Sequence, residues 1–327
     1  MKTMMTVPEA SELIQAGCKL FVAGDEKLLK TLPLGTWIGG TIPYFMTEEG
    51  GVHTRDRVQV TVLPDFVSCS SLKFYDVDEL DRIPAGYTRN GFSYIVIPAF
   101  TNAHRRFAHD CSTWPGVFER PLLGWVAGVD LADLGCVTPK VCNGETGEMS
   151  ESKAAVMHLD LPAERFARLN IVNLFRQGDG DIITFPKEGL CVEDCIVNGE
   201  LRVFADYLRE KKVDTRQPLV ADYCGAMINV SFQKVDAESH RVALYAPVFP
   251  GVNYKIAAPL GNYEVEFNDR LSGDCTDPVF SCNCILNYLY ADLEGKKTGA
   301  LVGPITFGEI AYMLLNQTLV YLTFATK

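Results

Sequence analysis

The stretch GPITFGEIAYMLLNQTLVYLTF, residues 303–324, carries the densest local signals in the chain. Gly303-Pro304 is a turn pair, and an apolar run follows it. Thr306 and Glu309 stand at the spacing where a hydroxyl caps a helix start and a carboxylate bonds back. The positive end of a helix dipole would also favour the charge of Glu309 there. This spacing predicts a short helix over 308–315, closed by Asn316. Thr318 to Phe324 is rich in β-branched and aromatic residues and reads as a buried strand. The chain thus ends on a strand–helix–strand unit.

The same alternation runs through the rest of the chain. Thr6-x-x-Glu9 repeats the capping spacing, with Pro8 in the first turn, and predicts a helix that ends at Gly17. Strands are expected at 19–23, 36–42 and 58–63, with a second helix capped by Asp25 and closed by Pro33. Further strands are expected at 94–99, 121–128 and 154–161, and a helix over 164–176. Asn198-Gly199 between apolar runs is a type I′ hairpin signal. Tyr207 to Lys212 reads as a charged helix, and 227–235, 241–248 and 262–267 alternate as strands. Residues 280–292 present a helical face of Ile285, Tyr288, Leu289 and Asp292. The predicted class is therefore α+β, a mixed α/β protein. It would have two related layered domains, with largely antiparallel or mixed sheets covered by helices and packed face to face.

Composition narrows the partners. Of 327 residues, 47% are hydrophobic and 22% charged, which suits a globular chain long enough for two domains. The formal charge is −11, from 41 acidic and 30 basic side chains, and no Lys/Arg cluster exceeds a doublet. That opposes a nucleic-acid surface, which needs clustered cations to displace counterions. No apolar run approaches the ~18 residues of a membrane span. Pro8 and Glu9 come too early for a signal peptide, so a cytoplasmic protein without membrane partners is expected. Eleven cysteines, odd in number and irregular in spacing, read mostly as reduced, buried small hydrophobes.

Thr306-Phe307-Gly308-Glu309-Ile310, then Asn316-Gln317-Thr318-Leu319 and a terminal strand, resemble the end of the FIST C-terminal domain. Gly39-Gly40-Thr41, Leu123 to Gly128 and the strand 154–161 resemble the FIST N-terminal domain in order. Here Ile42-Pro43-Tyr44 replaces the family's usual Gly-Glu continuation. Ser281-Cys282 is followed by Asn283-Cys284 in place of Gly-Arg. The resemblance implies a domain at 1–162, a connecting segment at 163–189 and a second domain at 190–327. It implies a sensory protein that binds a small molecule, with amino acids among the candidates. Lacking an output region in this sequence, it would signal through a separate partner protein.

Trp37 beside Gly39 and Gly40, and Trp125 beside Gly124, suit the wall of a small-molecule pocket, because strand glycines mark close approach. Core packing is the competing reading for each tryptophan. With Thr41, Cys282, Glu309 and Asn316 they form the candidate ligand site, without cofactor or metal. Cys282-x-Cys284 admits a second reading, a cysteine-dependent hydrolase or transferase, which needs a histidine within reach. A zinc site on this pair would need two further ligands, and Cys191-x3-Cys195, one possible supplier, is not the compact CxxC form. His104 and His109, five apart, do not align as two ligands on one helix face. His158 or His240 as a haem ligand is a weaker alternative to a buried, hydrogen-bonded histidine. No nucleophile elbow, phosphate loop, zincin motif or dinucleotide fingerprint is present in the sequence.

Overall fold

The computed structural model describes residues 3–223, 225–271 and 277–326, so Cys224 and Cys275 lie outside the described residues. The first helix, Val7–Gln15, starts as its sequence demands: Thr6 and Glu9 close a capping box and Pro8 sits in the first turn. A strand at Leu20–Gly24, a short helix capped by Asp25 and a strand at Trp37–Thr41 follow. These two strands pair in parallel at the centre of a sheet ordered Met4–Met5, Val58–Val62, Leu20–Gly24, Trp37–Thr41, Val141–Asn143, Glu148–Ser150.

A second sheet repeats the arrangement. Gly91–Pro98 and Leu122–Ala127 run parallel, with Ala154–Asp160 and Ser68–Tyr75 on one side. On the other side the free edge of Leu122–Ala127 is taken by the C-terminal segment, Glu309–Ala311 and then Met313–Leu315. The helix expected over 308–315 is therefore a β-hairpin, with Tyr312 in the left-handed region (φ 63°) between its arms. The reason is tertiary: Glu309–Ala311 is buried throughout and draws its hydrogen bonds from a neighbouring strand. Helix propensity in so short a segment is a weak prior against that.

Four other expected elements change for related reasons. The helix predicted over 164–176 is the strand Arg165–Val172, paired residue for residue with the terminal strand Leu319–Thr326. The strand predicted at 262–267 is the helix Tyr263–Leu271, which buries Tyr263 and Phe267 four apart with stacked rings. Residues 280–292 divide into a fully buried strand, Phe280–Cys284, and a helix, Ile285–Tyr290. That helix buries Ile285 and Tyr288 but leaves Leu289 exposed. The strand expected at 227–235 breaks at Ser231 into Ala226–Val230 and Phe232–Asp236. The hairpin at Asn198-Gly199 forms as predicted, with both residues at positive φ (49° and 92°).

The class is mixed α/β, with mixed and antiparallel open sheets. A third sheet joins Arg165–Val172, Leu319–Thr326, Phe280–Cys284, Gly303–Thr306, Tyr44–Thr47 and Gly50–His53. Two sheets thus draw strands from both sides of residue 162, and one continuous core runs from Met4 to Leu322 through Trp125, Phe280 and Cys282. Residues 183–256 build a smaller body of two sheets around a separate core containing Phe185, Phe204 and Tyr254. No helix among the described residues is long and apolar enough to cross a membrane.

Candidate functional site

Of the sequence-predicted site residues, the structure brings Gly40, Trp125, Cys282 and Glu309 together, and it fills the space between them. Glu309 lies opposite Trp125 across two paired strands. The Trp125 indole donates to Tyr94 Oη at 2.7 Å, and Tyr94 stacks on Phe21 at 3.6 Å between centroids. The Cys282 thiol contacts the Gly124 carbonyl at 3.5 Å. A Cβ on Gly40 would meet Val96 at 2.8 Å and Ala127 and Trp125 at 3.1 Å. On Gly39 it would meet the Val22 carbonyl oxygen at 2.2 Å. These glycines admit a neighbouring strand and an indole, so close approach here is protein to protein. Trp37 stands apart in the core that includes Ile14 and Leu20. Its indole donates to the Pro33 carbonyl at 2.9 Å, and its ring covers Gly144.

Glu309 is fully buried, and the groups that bond its carboxyl are neutral. It accepts from the Thr318 hydroxyl at 2.9 Å and the Thr318 amide at 3.3 Å, with Thr306 Oγ1 3.3 Å away. Burial outweighs these bonds and pushes its carboxyl up to about 8, so the side chain holds its proton at neutral pH. Burial first, and then Glu309, push the Cys282 and Cys284 thiols well above their ordinary range. Neither is primed as a thiolate nucleophile. His158 is equally committed: Tyr75 Oη lies 2.9 Å from Nε2 and Ser93 Oγ 2.7 Å from Nδ1. Burial lowers its imidazole to about 4, and neither nitrogen is free for a metal.

Thr41 lies elsewhere, on a cavity of about 140 Å³ lined also by Asp25, Arg55, Asp130 and Asp133. Its hydroxyl bonds to the Gly128 carbonyl at 2.8 Å and accepts from the Lys140 amide at 2.9 Å. Arg55 bridges Asp25 and Asp133 across this cavity. A groove of about 340 Å³ between the smaller body and the main core is lined by Asp214, Arg216, Asn287 and Gln317. Arg216 there is closed on Asp214, with Nη2 2.7 Å away, Lys296 donates to the Ala291 carbonyl at 2.9 Å, and the Asn287 and Gln317 amides are bonded to protein.

A different cavity, of about 60 Å³, lies just beyond the carboxyl ends of the parallel strands Gly91–Pro98 and Leu122–Ala127. That is where open α/β sheets place ligands. Its wall includes Phe100, His104, Cys284, Phe307 and Asn316. Phe307 is seated because Gly128 has no side chain; a Cβ there would strike the ring at 2.4 Å. His104 is set by its own helix, Asn102–Asp110, whose capping hydroxyl on Thr101 accepts the His104 amide at 3.1 Å. Phe100 holds φ 65°, a conformation rare for a bulky side chain, and donates its amide to His104 Nδ1 at 3.3 Å.

That bond leaves the neutral ring's proton on Nε2. Burial, aided by Arg105, lowers the imidazole to about 4, so the ring is neutral at pH 7. His104 Nε2 is shielded and has no hydrogen-bond partner. The same holds for Asn316 Oδ1, whose orientation is fixed because Nδ2 donates to the Leu315 carbonyl at 3.0 Å. Among the described residues, four shielded side-chain polar atoms lack a partner, and two belong to this one wall. Such atoms are rare in native proteins, and each calls for an explanation.

Of the residues picked from sequence, Asn316 lies on this wall, and Glu309 lies behind it, bonded to the Cys284 thiol. Sequence reasoning misses His104 as a ligand contact, because its spacing to His109 addresses only a metal pair. Thr101 three residues ahead, just after an apolar strand, is the signal that places His104 in the first turn of a helix at a strand's carboxyl end. A model of a family of unknown function (DUF6976) matches residues 5–325. No curated protein and no solved structure matches the chain. Since the match spans almost all 327 residues, the chain belongs to the DUF6976 family.

Proposed function

We propose that this chain is a small-molecule-binding protein of sensory type, whose receptor is the cavity walled by His104 and Asn316, and which signals through a separate partner. The observation that carries this reading is the pair of shielded, unpartnered groups on one wall: a donor, His104 Nε2–H, and an acceptor, Asn316 Oδ1. Burying either without a partner costs about 1–3 kcal/mol. A site that accepts this cost twice in one place is adapted to something that restores both bonds. The left-handed Phe100 at the same wall adds a locally strained residue, a frequent companion of ligand clamps. The resemblance to FIST domains supports a sensory role, though the supporting geometry lies to one side of the glycine-rich strands.

A thermal-shift screen with free amino acids and small uncharged metabolites, run on wild type and Asn316→Leu, tests the reading. The expected result is stabilisation of the wild type by at least one compound and its loss in the variant. Failure of every compound to stabilise the wild type, or equal stabilisation of the variant, would overturn it.

A further inference from the structure

Resting on the receptor reading above, we infer that the ligand is an amphiphile, with a small uncharged head in the His104–Asn316 cavity and an apolar body across its mouth. Size comes first. A cavity of about 60 Å³ is under half the ~150 Å³ that takes one benzene ring. It has room for a few heavy atoms, so the rest of any larger ligand must lie outside.

What lies outside is apolar. Three wall residues are exposed, Phe100 (49%), Leu134 (42%) and Leu289 (45%), and they form the mouth. They come from three separate parts of the chain, after the strand Gly91–Pro98, in the loop after Leu122–Ala127 and on the helix Ile285–Tyr290. Single exposed apolar residues need no explanation, but three gathered on the lip of one cavity do.

Charge decides the head. Among the described residues, the cavity wall carries no Asp, Glu, Lys or Arg, and its histidine is neutral at pH 7. A carboxylate or ammonium would be stripped of water with no opposite charge to meet it. The zwitterionic head of an amino acid is disfavoured on the same ground. The wall's two shielded, unpartnered groups match a head with one acceptor, for His104 Nε2–H, and one donor, for Asn316 Oδ1: a primary amide or a primary alcohol. Both wall atoms are covered, so the head seats by small rotations of the imidazole and the amide.

The test is a titration series of primary amides from acetamide to octanamide, followed by calorimetry or by chemical-shift changes at His104, beside 1-hexanol, hexanoate and hexylamine. Kd is expected to tighten about two- to fourfold per methylene, the value for partial to full burial of a CH2. The charged analogues should bind at least tenfold more weakly than hexanamide. Leu134→Asp or Leu289→Asp, both at exposed positions, should flatten the chain-length dependence. Flat affinity with length, or hexanoate binding as tightly as hexanamide, would overturn the inference and leave the receptor reading intact. The inference also falls alone if neither the amides nor 1-hexanol binds but another compound stabilises the protein through Asn316. If neither these nor any screened compound binds, both fall.

Discussion

Two neighbouring regions of the core treat polar groups and glycines in opposite ways. In the layer around Trp125, each gap opened by a glycine is occupied by protein, and the indole, Tyr94 hydroxyl and Cys282 thiol all have partners. A short step away, the wall shared by His104 and Asn316 leaves a donor and an acceptor unmatched. The difference teaches that a tryptophan beside glycines marks the packing of strands. Unmatched hydrogen-bonding capacity is the better marker of a receptor, because packing alone gives no reason to bury it.

The largest effect that separates the regions should come from truncation. Trp125→Ala removes a filled layer and is expected to cost about 3–5 kcal/mol in urea unfolding, the usual range for a buried aromatic. Asn316→Leu, on the unmatched wall, should leave stability near the wild-type level, because removing an unsatisfied acceptor offsets the lost bond from Nδ2 to the Leu315 carbonyl. A comparable loss in both variants would erase the contrast.

Glu309 sits between the regions and sharpens the comparison through pH. Its carboxyl is raised to about 8 from an ordinary 4.5, so the folded chain keeps a proton that the unfolded chain releases. The stability it contributes is fully present below about pH 4.5, declines as pH rises, and is lost above about pH 8. At about 1.4 kcal/mol per unit, the window is worth on the order of 5 kcal/mol. Unfolding curves at pH 5 and pH 8.5 should therefore show Glu309→Gln gaining on the wild type at the alkaline end. A difference that does not change with pH would mean that Glu309 ionises normally in the fold.

The smallest effect concerns the thiols. Cys136 and Cys191 are exposed and should alkylate in the folded protein, whereas Cys282 and Cys284 should react only on unfolding. Mass spectrometry of peptides after timed iodoacetamide treatment reads this directly. Rapid modification of Cys284 at neutral pH would reopen the thiol-chemistry reading and show the cavity to be more open than its wall implies.

Much of the fold was legible because its causes are local. Thr6 with Glu9, Asp25 before a short helix, and Asn198-Gly199 between apolar runs each carry their own hydrogen-bonding or φ requirement within a few residues. The mixed α/β class followed from the same signals. Arg165–Val172 and Glu309–Ala311 could not be read this way, since both are strands through partners more than a hundred residues distant. Tyr263 and Phe267 fit either period until the core that receives them is known.

By itself, then, the sequence determined the capped helices, the hairpin turn, the positions of several strands and the general layout of helices over sheets. Tertiary structure alone decided that the C-terminal segment pairs as a hairpin, that Trp125 and Gly40 fill each other's space, and that His104 and Asn316 share a wall. The physical reason is range: caps and turns are satisfied by adjacent atoms. Sheet edges, cavities and missing hydrogen bonds exist only once distant segments have met.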